Sequence, residues 1–341
     1  MSTLITREQF LAERRRGIGG SEIAAACGFD PRMTPYMLWR EKRGLPPPEG
    51  KPHAMRRGNF LEAAILKRYA EIVQPAALEF RIAHDKGWRR GNQDARATLQ
   101  DGRRVVVEAK SVNKNVFRFT KDDAQRWGDP WSDEVPRRAL CQGLWYAALD
   151  DAQVIDFPVM VVPEDPDEVL GLTADEIVAI SEFHIFRAAR NATIEEFLVE
   201  EGAAFWRLVQ DGIEPAPMNE DDVELRWPMS SPESIKVATP EVERWLLEFE
   251  AHKGLASAHG KKADVLREKL LIFAEGNEAI ASAKDMVSPY LTLKPHVVAA
   301  HTRKESRQRP LHFTKWWTKH HAQIVERNPE PEAPQTPEVQ S

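Results

Sequence analysis

Asp94, Glu108 and Lys110 are the residues of this chain whose types and spacing suit chemistry. In VVVEAK, residues 105–110, three β-branched residues run straight into two opposite charges, Glu108 and Lys110. A strand's two-residue period puts both charges on one face. Upstream, Gln100-Asp101-Gly102 fits a three-residue hairpin connection with glycine in the left-handed position. The register follows: Leu99 faces Arg103, Thr98 faces Arg104, Arg96 faces Val106 and Asp94 faces Glu108. Opposed carboxylates about 4.5–5.5 Å apart raise one another's pKa and call for compensation. A hard divalent cation, Mg²⁺ or Mn²⁺, supplies it through oxygen ligands. Asp94 and Glu108 offer two, and the Ala109 carbonyl a third. The Lys110 ammonium would point at the same place, to orient a water or steady a scissile phosphate. Glu62, one helical turn after Gly58 in GNFLE, offers another acid. A two-residue loop would slip the register by one and take Asp94 off the face. The rival acid, Asp101, sits in the turn itself, far from Glu108 along the hairpin.

The elements that must position these groups are legible as pattern. Residues 1–43 read as mostly helical with a glycine break at 17–20, followed by a proline-rich link, GLPPPEGKP at 44–52. Apolar residues Phe60, Leu61, Ala64, Ile65, Leu66 and Tyr69 recur at helical period within 54–73. Residues 78–110 read as strands, and 136–149 as a helix that starts at a proline. Residues 153–162 (QVIDFPVMVV) read as a strand whose internal proline hints at an edge. Residues 173–212 read as one or two helices. Hairpin, helix, strand and helix in that order suggest an α/β sandwich. A Pro/Asp/Glu-rich boundary at 213–238 precedes two helices, about 241–252 and 256–275, with Gly254 between them. Thr239-Pro240 is a cap followed by a first-turn proline.

The 341 residues carry a net charge of −6, but the distribution is uneven. Residues 1–120 hold 23 Lys+Arg against 13 Asp+Glu, and the remainder 24 against 40. A basic first part is suited to a polyanion. Two cysteines, Cys27 and Cys141, exclude a cysteine-rich zinc or iron–sulfur site and suit a reducing cytoplasm. No apolar run reaches the roughly 18 residues of a membrane span, and the first residues carry no signal pattern. The ten histidines show no metal-ligand spacing. Lys315, Trp316, Trp317, Lys319, His320 and His321 form a basic aromatic patch that could touch DNA or a partner. Trp145 and Tyr146 read as core.

Four blocks carry a further signal: RRRGIGGSEIAAACGFDPRMTPYMLWREKRG at 14–44, GNFLE at 58–62, NQDARATLQDGRRVVVEAKS at 92–111 and VPRRALCQGLWYAAL at 135–149. A weaker fifth is FWRLVQDGIEPAP at 205–217. Together they resemble the PD-(D/E)xK nucleases, in particular the lambda-exonuclease and YqaJ-type viral recombinase branch, over about residues 10–220. The resemblance implies an α/β restriction-endonuclease-like core, a central mixed sheet flanked by helices, with an α-rich C-terminal extension. The domains expected are a nuclease domain at 1–220, an accessory helical partner-docking region at 221–327, and a disordered Pro/Glu-rich tail at 328–341.

The resemblance also implies roles. Asp94 and Glu108, with the Ala109 carbonyl, match metal ligands, and Lys110 matches the catalytic lysine. Glu62 matches the helix acid that completes the metal site, and Gln142 a glutamine near the active site. Arg14 and Ser21 match residues that hold a 5′-phosphate, which the main-chain N–H groups of Gly19 and Gly20 would cradle. The usual proline before the hairpin acid is absent from Asn92-Gln93-Asp94-Ala95, and Ser-Val-Asn follows Lys110. The chemistry implied is phosphodiester hydrolysis assisted by Mg²⁺ or Mn²⁺, with two ions about 4 Å apart. The expected activity is 5′ to 3′ digestion of linear double-stranded DNA, leaving 3′ overhangs for a single-strand annealing recombinase. The alternatives are an endonuclease of the same fold and a non-catalytic DNA-binding recombination module. A ring of subunits and the cytoplasm of a bacterial host, with phage or prophage origin, complete the expectation.

Overall fold

A computed structural model of the chain describes residues 12–45, 54–120, 122–163, 172–228, 231–253, 260–275, 277–281, 291–292, 296–297, 307–308 and 312–313. The chain divides into two compact units between Ala216 and Pro217.

The first unit is a three-layer arrangement. Its helices are α1 (Gly20–Ala26), α2 (Pro35–Lys42), α3 (Ala54–Val73), α4 (Lys114–Phe119), α5 (Arg137–Asp150), α6 (Ala174–Ile180) and α7 (Ala192–Asp211). Its strands are β1 (Ala77–Lys86), β2 (Arg89–Thr98), β3 (Arg104–Val107), β4 (Lys110–Asn113), β5 (Val154–Val162) and β6 (Glu182–Ala189). The sheet is mixed. β1, β2 and β3 are antiparallel neighbours, β5 runs parallel to both β3 and β4, and β6 pairs antiparallel with β5. The fold class read from the sequence, a central mixed sheet flanked by helices, holds.

Alternation along the strands assigns the two faces. Val106, Ile155, Phe157 and Val159 are buried in one core with Leu144 and Trp145 of α5, Ile23 of α1, Leu38 of α2 and Phe205 of α7. Val105, Val107, Ala95 and Ala97 face the other way, against Leu66 and Tyr69 of α3. Leu61 and Ile65 continue that contact to Met160, Val162 and Ile177 of α6. Each such aliphatic side chain, fully buried, contributes about 1.5–3 kcal/mol of transfer free energy. The helical stripe on α3 is narrower than its periodicity predicts, because Phe60 stands 52% exposed.

Two expectations need correction. Residues 173–212 are not helical throughout, since β6 interrupts them. EFHIFRAA lies along the whole of β5, from Val161↔Glu182 to Val154↔Ala189. β5 is also not an edge, despite Pro158, because it has neighbours on both sides. Val105–Val107 pair with Val154–Asp156, and Lys110–Asn113 pair with Val159–Val162, in one unbroken register. Only Glu108 and Ala109 drop out, opposite Phe157 and Pro158. The Glu108 N–H still donates to the Asp156 carbonyl at 2.9 Å. The next bond of a parallel ladder would run from the residue-158 N–H to the Glu108 carbonyl, and proline has none. Pro158 thus breaks a neighbouring strand rather than its own.

In the second unit, α8 (Glu220–Arg226), α9 (Pro240–Lys253) and α10 (Gly260–Ala274) surround a core of Val223, Leu246, Phe249, Leu270, Ile280 and Leu291. Thr239 caps α9 by accepting the Val242 N–H at 3.3 Å. An α-rich extension was expected here. The unit also holds a sheet in which β7 (Ser231–Val237), β8 (Asn277–Ala281), β9 (Leu291–Thr292) and β12 (His312–Phe313) are successive neighbours, and a separate pair, β10 (His296–Val297) and β11 (Arg307–Gln308). Gly254, the patch around His320–His321 and the tail lie outside the described residues.

Candidate active site

The hairpin register is the one that the loop predicts. Thr98 pairs with Arg104, Arg96 with Val106 and Ala95 with Val107, and Gly102 takes φ +86° in the turn. The next step would pair Asp94 with Glu108, but the ladder stops at Val107. The Ala109 N–H instead donates to Asp94 Oδ2 at 2.9 Å. An Asp94 side chain therefore takes the bond that a backbone carbonyl of β2 would otherwise accept. Asp101, the rival acid, is exposed in the turn and holds the Arg103 N–H and guanidinium.

Glu108 has no exposed surface. Its Oε2 accepts from Lys110 Nζ at 3.0 Å and from Gln142 Nε2 at 2.7 Å. Gln142, on α5, closes the triangle by accepting from Lys110 Nζ at 3.1 Å. Glu108 Oε1 is buried without a hydrogen-bond partner. Burial pushes the Glu108 carboxyl up to about 8; the Lys110 ammonium pulls it down and the Asp94 charge adds to the rise. The Asp94 carboxyl is also raised, by burial, against the opposing pull of Lys110 and of the Ala109 N–H. A buried charge so poorly compensated is costly. It is the setting a cation relieves, so the residues present fit a divalent ion.

Glu62 comes from α3, on the other side of the sheet. Its carboxyl is raised first by burial and then by the Asp94 charge, and lowered by Arg81 and Lys110. Among the described residues no three acidic, histidine or cysteine side chains group closely enough to hold an ion. Asp94, Glu108, Lys110 and Gln142 are thus brought together, while Glu62 is within electrostatic reach but outside that set.

The segment at the start of α1 is organised around Glu22. Glu22 is buried, and Gly19 N–H donates to its Oε2 at 2.8 Å as part of a capping arrangement. Lys42 Nζ reaches the same oxygen at 2.6 Å, and Arg14 Nη2 reaches Oε1 at 2.6 Å. Arg14 also pairs with Glu41 at 3.4 Å. Burial opposes ionisation of Glu22, but Lys42 and Arg14 outweigh it and hold the carboxyl below its ordinary range. The Arg14 guanidinium and the Gly19 N–H, expected to hold a phosphate, are therefore bound to an internal carboxylate. Ser21 is exposed at the start of α1. Gly20 serves packing, because a Cβ there would lie 2.5 Å from the Tyr146 ring.

Tyr146 is the residue that sequence reasoning left in the core without a further role. It is buried, and a Cβ on Gly91 of β2 would also meet its ring at 2.5 Å. Its hydroxyl lies within electrostatic reach of Gln142 and Glu108, and burial pushes its pKa up. The ring thus joins α1, β2 and the Glu108 triangle. The signal was present as spacing: Gln142 and Tyr146 are four residues apart on one helix face.

Residues 9–153 match the family model of the YqaJ-like viral recombinase domain, which bears out the resemblance over that stretch. Within the chain, 66 residues are 36% identical to the uncharacterized protein YqaJ of Bacillus subtilis, a match that spans 19% of this chain and 21% of that relative. Among solved structures, the alkaline exonuclease LHK-Exo from Laribacter hongkongensis is 17% identical, over 61% of this chain and 94% of that one, with a TM-score of 0.41. A phage-related exonuclease from Haemophilus somnus is 12% identical, over 60% and 98%, with a TM-score of 0.43.

Proposed function

We propose that the chain is a divalent-metal-dependent deoxyribonuclease that digests linear double-stranded DNA from its ends, 5′ to 3′. The observation that carries this reading is Glu108: fully buried, one oxygen held by Lys110 and Gln142, the other unpartnered, with Asp94 beside it. Asp94 and Glu108, with the Ala109 carbonyl, are the groups that would hold Mg²⁺ or Mn²⁺. Such an ion would supply Lewis-acid chemistry, acidifying water and stabilising charge at the phosphodiester; Glu62 is the further acid that would serve a second ion.

The chain's own groups do the rest. Gln142 orients both partners, donating to Glu108 and accepting from Lys110, and so keeps the ammonium at the acid pair. Lys110 has three N–H donors. Two are used within the triangle, and the side chain is 23% exposed. The third is available to a phosphate oxygen or to the attacking water. Burial of Glu108 excludes bulk water from its side of the site, where electrostatic interactions are correspondingly stronger.

The domain match supports a role in recombination, in which the 3′ overhangs pass to a single-strand annealing protein. Residues 221–327 are the part that would dock that protein, and their unit has its own core. Capture of it should fail when residues 240–341 are removed. A ring-forming homo-oligomer, active in a bacterial cytoplasm on phage or prophage DNA, completes the proposal. Among the described residues no helix is long and apolar enough to cross a membrane.

The test is digestion of end-labelled linear duplex and of a covalently closed circle, with Mg²⁺ or with EDTA. The linear duplex should shorten from its 5′ ends only with the metal, and the circle should survive. Asp94→Ala and Lys110→Ala should each abolish digestion. Wild-type rates in both variants would dispose of the site, and cutting of the circle would make the enzyme an endonuclease.

A further inference from the structure

The sheet lapses at one more position in line with Asp94 and Glu108. β1 and β2 pair on both sides of Arg81, through Phe80↔Ala95 and Ile82↔Gln93. Arg81, the residue opposite Asp94, does not pair, and its φ is +55°. The register is the same before and after, so no inserted residue accounts for the distortion. Left-handed backbone is unfavourable for a long side chain inside a strand, and such strain concentrates where function requires it. In regular geometry Arg81 would share a face with Asp94. Its guanidinium would then pair with the acid pair and neutralise it. The left-handed residue makes no bond to Asp94. Its side chain is exposed, and among the described residues it has no ion-pair or hydrogen-bond partner.

Arg81 lines a groove between α3 and β1 together with Glu62, Lys67, Glu71 and Phe80. The Glu71 charge is taken by Arg68 at 2.9 Å. Lys67 has no ion-pair partner among the described residues, and the Phe80 ring is 57% exposed. Lys67 is then a cation of the groove without an opposite charge in reach among the described residues, while Arg81 and the site acid Glu62 lie within electrostatic reach of each other. Two cations and an exposed ring, leading to an acid beside the Asp94–Glu108 pair, suit a polyanion with flat bases.

We propose that Arg81 is a phosphate-binding residue that grips the backbone of a DNA strand lying in the groove between α3 and β1. The inference rests on the nuclease reading and adds the path of the substrate to it. The planar guanidinium fork binds two phosphate oxygens at once, which a lysine cannot do.

The test separates strain from binding. Arg81→Gly removes the strain, because glycine takes positive φ without cost. Its melting temperature should equal or exceed that of the wild type. Duplex DNA binding, measured in EDTA so that nothing is cut, should weaken about fivefold or more. The slope of log affinity against log salt should fall by about one. Cleavage with Mg²⁺ should show a rise in KM larger than its fall in kcat. Arg81→Lys should recover the salt slope but only part of the affinity. Arg81→Asn, which also tolerates left-handed backbone, repeats the measurement should the glycine variant fold poorly. If both variants bind and cut as the wild type does, Arg81 has no role on DNA and this inference alone falls. If the wild type neither binds nor cuts DNA, the nuclease reading falls and takes this one with it.

Discussion

Replacing Glu108 by glutamine should stabilise the metal-free protein at pH 8 while abolishing cleavage. The carboxyl ionises with an ordinary value of 4.5 in the unfolded chain and is pushed up to about 8 in the fold, mainly by burial. Between those values the folded state holds a proton that the unfolded state has released. Unfolding free energy therefore falls as pH rises through that window. Below 4.5 both states are protonated and Glu108 costs nothing; above 8 the cost is complete. At about 1.4 kcal/mol per pH unit, the window from 4.5 to about 8 amounts to roughly 5 kcal/mol as an upper bound. A neutral glutamine keeps an oxygen for Lys110 and Gln142. It places its NH₂ at the position of the unpartnered Oε1, much as a protonated carboxyl places its O–H. The two proteins should therefore be similar near pH 5, and the variant should lead by about 2 kcal/mol or more at pH 8. Urea denaturation in EDTA from pH 5 to 9 measures the difference. Parallel pH profiles, or a variant less stable at pH 8, would refute the argument that Glu108 is a poorly compensated buried charge.

Three further outcomes are expected. Calorimetric titration with Mn²⁺ should show binding by the wild type that Asp94→Asn and Glu108→Gln each abolish; undiminished heats in either variant would remove that residue from the ligand set. Gln142→Leu should fold and lose about 10–100-fold in cleavage rate, as for loss of a group that orients metal ligands; an unchanged rate would make Gln142 a packing residue only. Lys42→Met should cost about 3–5 kcal/mol at neutral pH, because it leaves Glu22 buried with one partner fewer. Since Glu22 is held below its ordinary range, the penalty should shrink as pH falls and the carboxyl becomes protonated, and a pH-independent loss would contradict that account.

The hairpin and its acids were legible because local rules decide them. The loop Gln100-Asp101-Gly102 sets the register, and register sets which side chains share a face. Helix α3 was legible to the residue from its period, and α5 to within one residue, since Pro136 caps it rather than opening it. β6 was not, because only Ser181 separates EFHIFRAA from α6. The role of Pro158 was misread for a related reason. Proline signals a missing donor, but only the partner strand decides whether that donor was needed. The Arg14–Glu22–Lys42 cluster shows the same limit at the candidate site. Basic residues near glycines suggest an anion, and no local signal in the sequence shows that the Glu22 carboxylate of the chain sits among them. The narrow gap between Gly20 and Gly91 that admits Tyr146 depends on three segments far apart in sequence, so no single window could reveal it.

Pro158 has one further consequence. Were it alanine, the Glu108 carbonyl would gain the amide it lacks, and residues 104–113 could zip into one continuous strand along β5. The Ala109 N–H would then turn to a β2 carbonyl, and Asp94 would lose the bond that now ties it to the Glu108–Ala109 dipeptide. An imino acid on a central strand thereby leaves its neighbour one ladder bond short, and the Ala109 N–H goes to Asp94 instead, two strands away from Arg81, where the backbone also leaves the ladder.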